Sequence, residues 1–438
     1  MKKGMLSLLG VLMLWGCGPT ATEQMNALAE DYVKIQLKLG EYDENYIDAY
    51  YGPEEWRPRK LKPNEKQYFH EPSYMAAVEE LETRLHQIDT TGMDDMEQQR
   101  WKVMQKNIGA MKYRVRFFVG KKGTFESEAL EVYDTQPPHF PQEHYDSLLN
   151  ELDARLPKWD GSFTLGERYR KYMRQFTIPR ERLDTVFRTA IAEARRRTKA
   201  HIKLPENEHF ELEYVSGKNW SGYNWYKGNA FSLIQINTDF PIYIDRAIDL
   251  ACHEGYPGHH VYNVLLEQHL ARERGWVEYL IYPLYSPQSL IAEGSANYGI
   301  RVAFPGAERI RYEKEVLFPL AGIDTALADG YYDIQHIMQQ LNYATNEGAR
   351  YYFAGYFNLL DLISYLERHL LYNRDKAIQR ARFINTYRSY VINYNWGQDL
   401  VAGWVARQGG TDDQPEKRWA VFQQLLSKPY LPSDLAGE

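Results

Sequence analysis

Apolar positions recur every three to four residues through most of this chain, the spacing that gives a helix one buried face. The clearest case runs over 73–88, where Met75, Val78, Leu81 and Leu85 fall on one side. The same periodicity predicts helices over 25–40, 96–119, 143–156, 165–176 and 179–200, with another closed by Gln136-Pro137-Pro138. In the segment 179–200, Leu183, Phe187, Ile191 and Ala194 form the apolar side, and Arg195-Arg196-Arg197 reads as a solvated C-terminal end. Tyr46 to Pro53 reads as an aromatic turn. Near Leu204 the period shortens: 211–216 and 230–237 are β-rich runs bounded by Gly and Asn, and they are the strands this pattern predicts. Helical spacing resumes over 240–252, then over 261–274, 287–303, 307–320, 323–345, 350–371, 376–392 and 415–426. The expected fold is mainly α with a small β-sheet. It divides into a helical lobe over 17–205, without candidate chemistry, and a region over 206–438 that carries the chemistry.

That chemistry is concentrated in Ala251-Cys252-His253-Glu254-Gly255-Tyr256-Pro257-Gly258-His259-His260. A helical His-Glu-x-x-His sets two imidazoles one turn apart, beside a carboxylate able to deprotonate a metal-bound water. Here Pro257 stands where the second His belongs. Six residues of unbroken helix turn about 600°, which would face His259 away from His253. Pro257 and Gly258 allow a deformation that returns His259 to the first imidazole. The alternative is His260, on the original face but about 10.5 Å further along a straight helix. Cys252 reads as a small buried hydrophobe rather than a ligand.

Catalytic zinc commonly takes three protein ligands and leaves a position for water. Glu293, in Ala292-Glu293-Gly294-Ser295-Ala296-Asn297-Tyr298, lies on a predicted helix 34 residues after His259, an order and spacing similar to that of gluzincin-type metallopeptidases. Glu278 is nearer but in a weaker helical setting. Asp249, one turn before His253, reads either as a partner that orients that imidazole or as an exposed charge. Tyr298, Tyr332, Tyr351, Tyr352 and His336 are candidates to stabilise an oxyanion. The strand-like stretch 228–237 is a candidate edge for pairing with an extended substrate.

Composition narrows the context. A net charge of −7 argues against nucleic acid as a partner, and 35 tyrosines suit pockets with apolar walls and hydroxyl groups. Lys2 and Lys3 precede an apolar run from Met5 to Trp15 that is too short to span a bilayer. It ends Leu14-Trp15-Gly16-Cys17, which resembles a bacterial lipobox, with Trp15 in place of the usual small residue. The expectation is a signal peptide over 1–16, lipidation at Cys17 and a cell-envelope location on the outer membrane. With Cys17 lipidated, Cys252 has no disulfide partner.

His-Glu-x-x-Pro-Gly-His-His followed by Glu-Gly-x-Ala-x-Tyr resembles the bacterial domain-of-unknown-function 885 family, whose members resemble zinc metallopeptidases. Tyr46 to Pro53 is also similar to a segment of that family. The resemblance implies a helical, zincin-like fold of gluzincin type, with Zn2+ held by His253, His259 and Glu293 and with Glu254 as general base. Two departures stand out: Ser295 where the family often has Trp, and a degenerate Tyr351-Tyr352-Phe353-Ala354-Gly355-Tyr356. The implied activity is hydrolysis of peptide bonds. The alternatives are hydrolysis of a non-peptide amide and a non-catalytic, surface ligand-binding lipoprotein.

Overall fold

A computed structural model describes residues 18–218 and 220–437, so Cys17 and the leader before it lie outside the described residues. The protein is mainly α with a small sheet. The first half of the chain forms helices that include Ala21–Gly40, Glu71–Gln87, Asp95–Phe118, Gln142–Arg155 and Leu183–His201. Thr20, Asp94 and Thr164 each open a helix with a capping box, reciprocally bonded to Glu23, Glu97 and Glu167. Their inward residues, among them Leu28, Val33, Val78, Leu81, Leu85 and Phe187, join one continuous core with the second half of the chain.

Two small sheets frame the second half. Strand β1 (Ile47–Tyr50) lies antiparallel to β5 (Ile281–Pro283), with Tyr50 opposite Ile281. The segment expected as a turn is therefore a strand, and it ties the first half of the chain to the second. The other sheet has the order β2 (His209–Val215), β4 (Phe231–Asn237), β3 (Gly222–Tyr226). Strand β4 pairs with β2 in parallel and with β3 in antiparallel. The stretch 228–237 is thus central, with both edges occupied, and cannot accept a substrate strand; β3 is an edge strand instead.

Several long predicted helices are broken. The 350–371 segment is two helices, Ala344–Phe353 and Leu359–Leu370, and the 376–392 segment stops at Tyr387. Arg388 then adopts φ 54°, a left-handed conformation costly for a side-chain-bearing residue. Glu128 holds it there, accepting from Arg388 Nε at 2.6 Å and from Ser389 Oγ at 2.6 Å. The chain continues into a helix that the apolar pattern did not predict, Ile392–Arg407.

That helix packs along Pro287–Ala303, and two glycines set the closeness of approach. A Cβ on Gly294 would lie 2.4 Å from the Gly397 backbone, and one on Gly397 would lie 2.9 Å from the Leu290 carbonyl oxygen. Neither obstacle is a flexible side chain, so a methyl group there must separate the helices. Gly397→Ala is expected to cost about 1–3 kcal/mol, the range for overpacking, seen as a lowered urea midpoint; an unchanged midpoint would contradict the close crossing.

Candidate metal centre

The helix that approaches the site, Asp245–Leu250, does not continue regularly. It widens into a π-helical turn over Ala251–Gly255, where the Tyr256 amide donates to the Ala251 carbonyl at 3.0 Å. The Gly258 amide then reaches back to the Cys252 carbonyl at 2.9 Å, and a new helix starts at His259. No other residue fits at 258, because a Cβ there would lie 2.0 Å from the His253 carbonyl oxygen and 2.3 Å from that of Cys252. The reversal lays the His253 and His259 rings almost perpendicular, with centroids 4.7 Å apart.

His253, His259 and Glu293 converge. The two Nε2 atoms are 3.2 Å apart, and Glu293 Oε2 lies 3.2 Å from His253 Nε2 and 3.6 Å from His259 Nε2. Ligand atoms about 2.0–2.1 Å from a tetrahedral zinc stand about 3.3 Å from one another, so the triangle has the size of one metal's coordination face. Glu293 Oε2 is buried and makes no hydrogen bond, whereas Oε1 accepts from the Tyr390 hydroxyl at 2.6 Å. The tautomer of His253 points the same way. Asn297 Nδ2 donates to the Tyr394 carbonyl at 2.7 Å, which turns its oxygen towards His253 Nδ1 at 2.9 Å. An amide oxygen only accepts, so Nδ1 carries the proton and Nε2 presents its lone pair to the cluster. The donor set, spacing and orphaned carboxylate oxygen fit a divalent cation.

Charge in the cluster is strongly coupled. Burial disfavours a charged His259, but the carboxylates of Glu293, Glu254 and Asp48 outweigh it and push its pKa up to about 9. Burial would raise Glu293 as well, yet the two imidazoles hold it far below the usual carboxylate range. Glu254 is buried beside the cluster, and burial raises its pKa against the opposing pull of His253 and His259. Its place is shaped by β3: a Cβ on Gly222 would lie 2.9 Å from Glu254 Oε1, and Asn224 Nδ2 donates to the Glu254 carbonyl at 2.6 Å.

The remaining candidates fall elsewhere. His260 is buried, with Nδ1 2.7 Å from Ser232 Oγ and Nε2 3.2 Å from Glu208 Oε1. Both nitrogens are engaged away from the cluster, because the chain reversal separates neighbouring residues on the new helix. Glu208 also receives Arg195 at 2.8 Å and the Tyr256 hydroxyl. Burial alone would raise its pKa; His260, Arg195 and Tyr256 hold it down at about 2. Asp249 neither orients His253 nor stands exposed. It pairs with Arg246 at 2.9 Å and Arg309 at 2.8 Å, and Asn297 takes the orienting role. Glu278 is buried against Arg100 at 2.6 Å. Tyr298 packs on Phe422, and Tyr332, Tyr351 and Tyr352 lie off the cleft. Cys252 is buried and its thiol pKa is raised by burial.

A cavity of about 1140 Å³ opens over the cluster. Of the oxyanion candidates His336 lines it, together with residues that sequence reasoning missed: Asp48 on β1, Tyr223 on β3, Tyr282 on β5, and Tyr390 and Tyr394. Asp48 accepts from the Tyr223 hydroxyl, and burial pushes its pKa up to about 7 while His259 pulls it down. The chain before residue 205, expected to carry no chemistry, therefore contributes a titratable group to the cleft. The segment's aromatic spacing marked it, but nothing in it specified a strand.

No protein-family model matches the chain, and no curated protein matches it. Among solved structures, the fold is similar to "the putative lipoprotein from Colwellia psychrerythraea", with a TM-score of 0.52 and 13% identity over 87% of this chain and 70% of that one. This likeness shows a shared fold. An M32 carboxypeptidase from Deinococcus radiodurans R1 superposes with a TM-score of 0.38 and 13% identity over 95% of this chain and 93% of that one, too loosely to carry an argument.

With its pKa pushed up to about 9 by the neighbouring carboxylates, His259 favours a proton at neutral pH, and a divalent cation at Nε2 would compete with that proton. Affinity for a divalent metal is therefore expected to strengthen about tenfold per pH unit between pH 7 and 8, with release of about one proton. Calorimetric zinc titrations in buffers of different ionisation heat measure this; affinity independent of pH would contradict the assignment.

Proposed function

We propose that this protein is a zinc-dependent hydrolase that cleaves peptide bonds, with the metal held by His253 Nε2, His259 Nε2 and Glu293. The observation that carries the reading is a buried, unligated acid, Glu254, beside a three-donor cluster at the floor of a large cleft. A purely structural metal site has no need of such a group. The sequence resemblance to the domain-of-unknown-function 885 family supports the same reading.

Zinc bound there would lower the pKa of its water to about 7 and polarise the scissile carbonyl. The protein supplies the rest. Glu254 takes the water proton on its carboxylate and delivers it to the leaving amine, work suited to an acid whose pKa burial has raised. Asn297 fixes the His253 ring, and Tyr390 fixes Glu293 through Oε1 so that Oε2 faces the centre. Strand β3 is an edge strand whose Gly222, Tyr223 and Asn224 line the cleft, and its backbone is the one we assign to pairing with an extended substrate. Tyr282 and Tyr394 line the same space and are the hydroxyls we assign to steadying an oxyanion, the Tyr223 hydroxyl being given to Asp48.

The leader ending in Cys17 would anchor this domain by lipid to the cell envelope, at the outer membrane. The Colwellia protein of similar fold is described as a "putative lipoprotein", and the described residues contain no helix long and apolar enough to cross a membrane.

Glu254→Gln is expected to lower turnover of a quenched peptide library at least about 10³-fold while one zinc per chain is retained by elemental analysis. Undiminished turnover in that variant would overturn the assignment of the base.

A further inference from the structure

One wall of the cleft is a single face of the helix Arg374–Tyr387. Lys376, Arg380, Phe383 and Tyr387 follow at helical spacing and all line the cavity. Lys376 and Arg380 stand one turn apart, and Arg246 is near enough to act electrostatically on both Lys376 and Glu254. Three cations thus gather beside the metal cluster.

They are not equally neutralised. Arg246 has Asp249. Lys376 Nζ donates to Gln379 Oε1 at 2.7 Å and lies 4.7 Å from the Phe240 ring centre, and no carboxylate among the described residues pairs with it. Arg380 lies over the Phe383 ring at 4.8 Å and makes no hydrogen bond or ion pair among the described residues; its Nε is buried without a partner. Burial and the two neighbouring guanidinium groups bring the Lys376 pKa down to about 8. Crowding half-buried cations without a counter-charge costs free energy that two neutral residues would avoid. An anion from outside would offset that cost. A guanidinium fork and an ammonium are the groups that bind carboxylates best.

The pair is also within reach of the reaction centre. Phe383 meets Tyr394 with ring centres 6.2 Å apart, and Tyr394 stacks on His253 at 6.4 Å. Three such contacts span no more than about five residues of extended peptide, at about 3.3–3.6 Å each.

We propose that Lys376 and Arg380 form a subsite for a carboxylate of the peptide substrate, supplied by its C-terminus or by an acidic side chain. The proposal rests on the peptidase reading of the metal centre.

Its test is binding rather than turnover. The zinc-loaded Glu254→Gln protein is titrated by fluorescence anisotropy with a labelled neutral hexapeptide as free acid and as C-terminal amide, and with both forms carrying one glutamate. The neutral amide is expected to bind about tenfold or more weakly than a form with a carboxylate. Arg380→Gln and Lys376→Met, each checked for an unchanged urea midpoint, are expected to remove most of that difference. Preference for the neutral free acid assigns the site to the C-terminus; preference for the glutamate-bearing amide assigns it to the side chain. Equal binding of all four peptides, absence of binding included, or a preference that survives both substitutions overturns the subsite. Cleavage by the unsubstituted protein reads the other claim separately. Cleavage without carboxylate preference leaves the hydrolase standing and removes the subsite, whereas carboxylate-selective binding without cleavage does the reverse.

Discussion

The candidate site depends on one backbone event, the reversal between Gly255 and His259. An α-helix carried through this segment would point His259 away from His253. Instead the helix widens by one residue, releases its regular hydrogen bonds and restarts, with Gly258 pressed against two carbonyl oxygens that leave no room for a side chain. The reversal is braced from outside. Tyr256 and His260, on its two sides, both bond Glu208, while Asn224 holds the Glu254 carbonyl. Buried charge at Glu208 is affordable because three donors satisfy it.

A second constraint completes the cluster. Gly294 and Gly397 let two helices approach backbone to backbone, and the contact places Glu293, Tyr390, Tyr394 and Asn297 around one point. Asn297 joins the helices and sets the His253 tautomer at once. The same crossing aligns the aromatic ladder from His253 to Arg380, so the His253–His259–Glu293 cluster and the basic wall of the cleft share one framework.

Much of this was legible in the residues. The helical class follows from apolar periodicity, and Pro257-Gly258 announces a deformation because an unbroken helix could not use His259. Glu293 stood out by its place on a predicted helix 34 residues after His259. What escaped has physical reasons. Strands β1 and β5 are four and three residues long and exist only through each other, across more than two hundred residues of sequence. The Ile392–Arg407 helix has no clean apolar stripe, since it buries Asn393 and Gly397 and turns Tyr394 to the cleft. Asp249 was misread because its partner Arg309 lies sixty residues on, on a helix that sequence spacing could not bring close. His260 looked like a ligand on a straight helix and became a strut once the helix broke.

If the reversal at Gly258 serves to build a metal site, one ion will sit among His253, His259 and Glu293. Anomalous diffraction at the zinc edge from zinc-loaded crystals tests this most directly. The expected result is a single peak about 2.0–2.1 Å from His253 Nε2, His259 Nε2 and a Glu293 oxygen, with His260 still bonded to Glu208. A peak at His260, or none at the three residues in crystals whose bound zinc is established, would contradict it.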